Sequence, residues 1–252
     1  MENFTLEICV DSVESAINAE KGGATRLELC SNLIIGGTTP TKSLFEEVRK
    51  NVSIPINVLI RPRFGDFLYS DYELDMIKND IKMFKELGAN ALVIGILTKD
   101  GEIDVENMKK LMEKSEGMSI TFHRAFDVCK DPIKAFQQLK ELGVKTILTS
   151  GQEDSCLKGK ELLKKLVELS NKNNENTPEI LIGAGLNTGN AEEMAKYTGA
   201  KAFHLSAKKV KESKMIYKKE NVNMGLKEFS EFEILETDEN AVREIYNCLV
   251  RV

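Results

Sequence analysis

Eight short apolar runs, each followed by a longer amphipathic run, recur along roughly the first 200 residues. The apolar runs fall at 4–10, 25–30, 56–60, 89–97, 119–123, 144–149, 179–182 and 201–205. The intervening segments read as helices at 12–22, 40–51, 72–87, 105–114, 131–143, 155–170 and 190–197. A strand and a helix in each stretch of about 20–30 residues is the rhythm of a parallel α/β sheet. Several strands, such as Ala-Leu-Val-Ile-Gly-Ile-Leu at 91–97, are apolar almost throughout, as a sheet covered on both faces requires. Eight such units favour a closed (β/α)8 TIM barrel over an open doubly wound sheet. No GxGxxG follows the first strand, which removes the local signature of a dinucleotide fold. The expected fold class is therefore α/β: a single TIM barrel core over 1–207, with 208–252 as a C-terminal extension and helix completing the same domain.

The extension breaks the rhythm. Residues 208–223 are rich in lysine and read as a long solvent-facing loop, and 172–177 as a polar surface turn. Residues 238–249 form a terminal helix, with Asp238 as cap and Ala241, Ile245 and Leu249 on one face.

Composition narrows the function. The 252 residues carry 35 Lys+Arg against 40 Asp+Glu, a net charge of −5, which disfavours a partner dominated by phosphate backbone. No nucleic-acid partner is expected. No run of about 18 apolar residues exists, and the start lacks a basic region followed by an apolar one, so neither a membrane span nor a secretory signal is expected. Five cysteines without a CxxC pair imply reduced thiols, and two histidines exclude a three-histidine metal site within the chain.

A repeat identifies the candidate site. Thr5-Leu6-Glu7-Ile8-Cys9 is echoed by Arg26-Leu27-Glu28-Leu29-Cys30, about one βα unit later. Residues two apart share a strand face, so Glu7, Cys9, Glu28 and Cys30 should point into the barrel, the cysteines at the strand ends and the glutamates a layer deeper. The C-terminal strand ends of such a barrel carry its function. Arg61 enters the same mouth from the third strand, His123 closes the fifth, and His204 closes the eighth. Arg63, Arg124, Asp127 and Ser150 stand at neighbouring strand ends as candidate substrate-binding groups.

These residue types fit two chemistries. Cys9 and Cys30 as thiolates suit Cu(I), a soft cation, although each also suits plain core packing. Alternatively Glu7 or Glu28 serves as a base and His123 or His204 as the complementary acid in an enzyme acting on a small anionic or phosphorylated metabolite, by proton abstraction, isomerisation or a lyase step. Arg61 and Arg63 would bind its charge. Gly183 and Gly185, in the loop after the seventh strand, would offer backbone amides to a phosphate. No lysine is placed for a Schiff base. A buried ionic network without chemistry is the plain structural alternative. Residues 61–70, rich in arginine and aromatics, would either close over a ligand or pack against a partner subunit.

The chain resembles the CutC family of copper homeostasis proteins from about Leu6 to Ala207. The resemblance rests on Leu6-Glu7-Ile8-Cys9-Val10-Asp11-Ser12, Glu28-Leu29-Cys30-Ser31-Asn32-Leu33 and Gly36-Gly37-Thr38-Thr39-Pro40. It continues through Ile60-Arg61-Pro62-Arg63, Gly65-Asp66-Phe67-Leu68-Tyr69-Ser70 and Thr121-Phe122-His123-Arg124-Ala125-Phe126-Asp127. Leu148-Thr149-Ser150-Gly151-Gln152 and Phe203-His204-Leu205-Ser206 complete the set. The resemblance implies a TIM barrel, a cytoplasmic location, a homodimer or homotetramer, and Cu(I) binding through Cys9 and Cys30. The lysine-rich segment and residues 223–237 are expected to depart from the pattern of that family.

Overall fold

The computed structural model describes residues 4–172, 177–219, 222, 224 and 229–252. Eight parallel strands close into a barrel in chain order: β1 (Thr5–Val10), β2 (Arg26–Leu29), β3 (Ile56–Leu59), β4 (Ala91–Ile94), β5 (Ser119–Phe122), β6 (Thr146–Thr149), β7 (Glu179–Ile182) and β8 (Ala202–Leu205). Between them run α1 (Val13–Gly22), α2 (Lys42–Asn51), α3 (Asp71–Glu86), α4 (Val105–Ser115), α5 (Pro132–Leu142), α6 (Lys160–Asn171) and α7 (Ala191–Thr198).

The strand parity does what the repeat implies. Leu6, Ile8, Leu27 and Leu29 face outward and join the core packed between barrel and helices. Cys30, Leu59 and Val93 form a separate small cluster, as do Leu148, Leu181 and Ala202. Helix starts follow local chemistry. Ser12, not Asp11, caps α1 by accepting from the Ser15 amide, while Asp11 accepts from the amide of Leu33 and ties the next loop to β1. Ser70 and Glu73 form a reciprocal capping box on α3, and Asp131 with Pro132 opens α5.

Three sequence expectations need correction. The sixth helix begins at Lys160, not near 155, because Ser150–Gly159 is drawn into a tight loop: a Cβ on Gly159 would stand 2.0 Å from the Ser150 carbonyl oxygen. The lysine-rich segment opens as a strand, β9 (Lys208–Glu212), paired antiparallel with β10 (Glu233–Thr237). Alternating cross-strand charges help to hold that hairpin, Lys211 pairing with Glu236. Residues 220, 221 and 223 of the lysine-rich segment and 173–176 of the polar turn lie outside the described residues. The terminal helix α8 (Glu239–Val250) is capped by Asp238 and buries Val242, Ile245 and Leu249. Ala241, expected on that face, is only half buried. Gly22 allows the close approach of α8 to α1, since a Cβ there would lie 2.6 Å from the Val242 side chain.

Candidate functional site

Register builds the site. Glu7 on β1 aligns with Arg26 on β2 and with His204 on β8, and Glu28 aligns with Cys9 and with Asn57 on β3. Glu7 is fully buried. It accepts from Arg26 Nε, from Asn57 Nδ2 at 3.1 Å and from His204 Nδ1 at 2.8 Å. Burial opposes its charge, but Arg26 and His204 outweigh that and bring its pKa down to about 2. Glu7 is thus a fixed anion beneath the mouth that orients His204. It does not line the cavity.

The other edge of His204 faces Glu28, with Nε2 3.6 Å from Oε2. One ligand atom each from Cys9, Glu28 and His204 lies within 4.8 Å of the others. Burial pushes the Glu28 carboxyl up to about 7, with Glu7 acting in the same direction and His204 and Arg26 against it. Burial also opposes a charge on His204, yet Cys9, Glu28 and its hydrogen bonds to Cys9 and Glu7 prevail and raise its pKa well above the ordinary imidazole value. The result is a coupled carboxyl and imidazole with the Cys9 sulfur beside them.

These three side chains form one wall of a partly open cavity of about 100 Å³. Leu33, Leu59, Phe67 and Leu148 supply apolar surface, and Arg61, His123 and Arg124 the remaining polar surface. Arg61 is held by the carbonyls of Gly36, Gly37 and Gly65, at 3.2, 3.2 and 2.8 Å, and lies over the Phe67 ring. His123 leans on the other aromatic contact of Phe67, at 4.9 Å between ring centres. Its Nδ1 accepts from the amide of Ala125 at 3.1 Å. Burial, aided by Arg61, lowers its pKa to about 3, so it is a neutral ring and not a general acid at neutral pH. Gly95 makes room for it: a Cβ there would stand 2.5 Å from the ring.

The remaining candidates divide. Cys30 does not line the cavity; its thiol donates to the Val10 carbonyl at 3.5 Å, and burial, then Cys9, Glu28 and Asp11, push its pKa well up. Arg63 lies outside the cavity, committed to Glu73, Asp66 and the Leu68 carbonyl. Asp127 is a scaffold. It accepts from Thr149 Oγ1, from the amides of Ser150 and Gln152, and from Arg124 Nε at 2.7 Å. Ser150 accepts from Arg124 at 3.1 Å and donates to the Glu153 carbonyl, so both fix the rim arginine. Gly183 and Gly185 do not reach the cavity. A Cβ on Gly183 would meet Leu148 at 2.7 Å, so the position is needed for packing beside His204. Three residues escaped the sequence reading of the site. Arg26 shares the inward parity of Glu28 and was identifiable from it, whereas Gly95 and Phe67 act through tertiary placement alone.

An eight-stranded parallel barrel with a small, partly buried cavity at the C-terminal strand ends defines a TIM-barrel protein with a candidate site where such barrels carry theirs. The chain belongs to the CutC family, whose profile matches residues 4–209. It is 44% identical over 243 residues to the human protein named copper homeostasis protein cutC homolog, covering 96% of this chain and 88% of that one. A CutC family protein of Parabacteroides distasonis is 46% identical over 240 residues, with 94% and 97% covered. The crystal structure of a CutC protein from Streptococcus agalactiae superposes with a TM-score of 0.76 at 34% identity, covering 81% of this chain and 99% of that one. Among the described residues no helix is long and apolar enough to cross a membrane.

Proposed function

We propose that the barrel mouth binds Cu(I) in the cytoplasm, with the Cys9 thiolate as principal ligand and the His204 imidazole beside it. The observation that carries this reading is the convergence of Cys9, Glu28 and His204 within 4.8 Å in an open cavity. A soft thiolate with one imidazole suits a low-coordinate Cu(I) ion. A metal must displace the protons of its thiol and imidazole ligands, so affinity rises with pH. The cytoplasmic part is supported by five cysteines that are all free. Cys30 is the second thiol of the two-cysteine site that the family resemblance implies, and it joins the metal only by giving up its bond to the Val10 carbonyl. Anaerobic competition titration with a Cu(I) chelator tests the assignment. Cys9→Ser weakens binding about a hundredfold, whereas Cys30→Ser changes it by less than about tenfold, each tenfold step being about 1.4 kcal/mol. Stoichiometric binding that survives in Cys9→Ser at full affinity rejects the site.

A second reading, turnover or binding of a small anionic metabolite, is favoured by a separate observation: His123 Nε2 and Arg61 Nε are buried without hydrogen-bond partners in the same mouth. A metabolite screen against the full chain, read by mass spectrometry, tests it; a screen with no bound compound and no turnover rejects it.

A further inference from the structure

The unpartnered groups of the mouth lie together. Arg61 and His123 both line the cavity, and Phe67 lies against the guanidinium of one and the ring of the other. His123 is 5% exposed and Arg61 8%. Nδ1 of His123 is fixed as an acceptor by the Ala125 amide, so in the neutral ring the proton sits on Nε2. That N–H has no partner. An unsatisfied buried donor is costly, and native structures complete most such groups with an ordered water, an ion or a ligand.

Arg61 adds a second requirement. Its NH1 and NH2 groups donate to the carbonyl oxygens of Gly36, Gly37 and Gly65, and among the described residues no carboxylate forms an ion pair with it. A buried cation without a counter-ion is unfavourable by several kcal/mol, and an anion in the cavity relieves this. Nε remains unpartnered, and the buried Tyr69 hydroxyl lies close enough to the guanidinium to interact with it. Arginine and a neutral imidazole offer few donors, spaced on two side chains, against a wall of Leu33, Leu59 and Phe67. A phosphoryl group needs more donors than these to satisfy its oxygens, and the glycine loop after β7 that would supply amides does not reach the cavity.

We propose that Arg61 and the Nε2–H of His123 form a binding subsite for the carboxylate of a small monoanionic organic acid. The inference rests on the small-anion reading above and narrows it to a ligand class. Arg61 supplies charge, and His123 supplies one oriented hydrogen bond. The remainder of the acid projects toward Cys9, Glu28 and His204 across the cavity, whose volume of about 100 Å³ admits only a compound of a few heavy atoms.

The test uses the full chain with its His123 imidazole followed by long-range proton–nitrogen NMR, and pyruvate, glycolate, inorganic phosphate and acetamide as probes. Pyruvate or glycolate is expected to shift the Nε2 resonance saturably, with phosphate and the uncharged acetamide at least tenfold weaker. His123→Phe should weaken the carboxylate about ten- to a hundredfold, the worth of one hydrogen bond to a charged group. His123→Gln, which retains a donor, should recover part of that loss. Phosphate binding as tightly as either carboxylate overturns the ligand class while leaving the small-anion reading intact. Acetamide binding equally well overturns the role of charge. A metabolite found by the mass-spectrometric screen that leaves the His123 resonance unmoved overturns the subsite alone. No shift with any probe and an empty screen overturn both.

Discussion

Replacing Glu7 by glutamine removes one charge from the base of the mouth while preserving its shape. In the wild type this carboxylate is fully buried and bonded to Arg26, Asn57 and His204. Two routes give the magnitude. A folded pKa of about 2, against the ordinary 4.5, makes the ionised form worth roughly 3 kcal/mol to folding. Removing one member of a buried ion pair costs about 3–5 kcal/mol in other proteins. Arg26 keeps 19% side-chain exposure, and Glu179 also acts on it, so part of its charge remains screened and the lower figure is expected. Urea unfolding followed by circular dichroism at pH 7 should therefore show Glu7→Gln about 3 kcal/mol less stable, at unchanged denaturant dependence. The sign of the pH effect follows from the depressed pKa. The stabilisation is present above about pH 4.5 and is lost as pH falls toward 2, so the gap between wild type and variant must narrow over that range. A loss below about 1 kcal/mol at pH 7, or a gap that stays constant down to pH 3, would show that Glu7 is not the anchoring anion.

Glu28→Gln has the opposite pH signature. Its folded pKa is raised to about 7, so in the wild type its contribution is fully present below pH 4.5 and declines as pH rises to about 7. The wild type should thus lose roughly 3 kcal/mol relative to Glu28→Gln across that window, measured by urea unfolding at each pH. Gly95→Ala pushes a methyl group into the His123 ring and should cost about 1–3 kcal/mol in thermal unfolding, with an altered His123 imidazole resonance. Asp127→Ala orphans the donors of Thr149, Ser150 and Gln152 and releases Arg124. It should destabilise the chain by about 2–4 kcal/mol and expose the 150–159 loop to limited proteolysis; a loop as resistant as in the wild type would refute the scaffold role.

The barrel was legible because each apolar run and helix cap speaks locally. Asp238 caps the terminal helix as its position suggested, and the glutamate–cysteine repeat placed Glu7 and Glu28 inside the barrel through strand parity alone. What parity does not encode is distance around the barrel. Cys9 and Cys30 look equivalent in sequence, yet the register sets Cys9 opposite Glu28 and near His204, while Cys30 ends against the Val10 carbonyl. Likewise Arg61 and Arg63 read as a matched pair. Arg61 turns inward onto the carbonyls of Gly36, Gly37 and Gly65, and Arg63 turns outward to Asp66 and Glu73. His123 was visible as a strand-end residue, but its neutral tautomer depends on the Ala125 amide and on Gly95, both set by the folded backbone. The hairpin of β9 and β10 was hidden because Lys208–Glu212 is exposed on nearly every residue and carries no apolar alternation.

The central claim is that the metal-binding chemistry of the mouth is centred on Cys9 and His204. Copper K-edge X-ray absorption of the full chain loaded anaerobically with one equivalent of Cu(I) tests it most directly. One sulfur with nitrogen or oxygen scattering, and imidazole multiple-scattering features that vanish in His204→Ala, is the predicted result. Two sulfur ligands with no imidazole contribution, in a spectrum unchanged by His204→Ala, would contradict it.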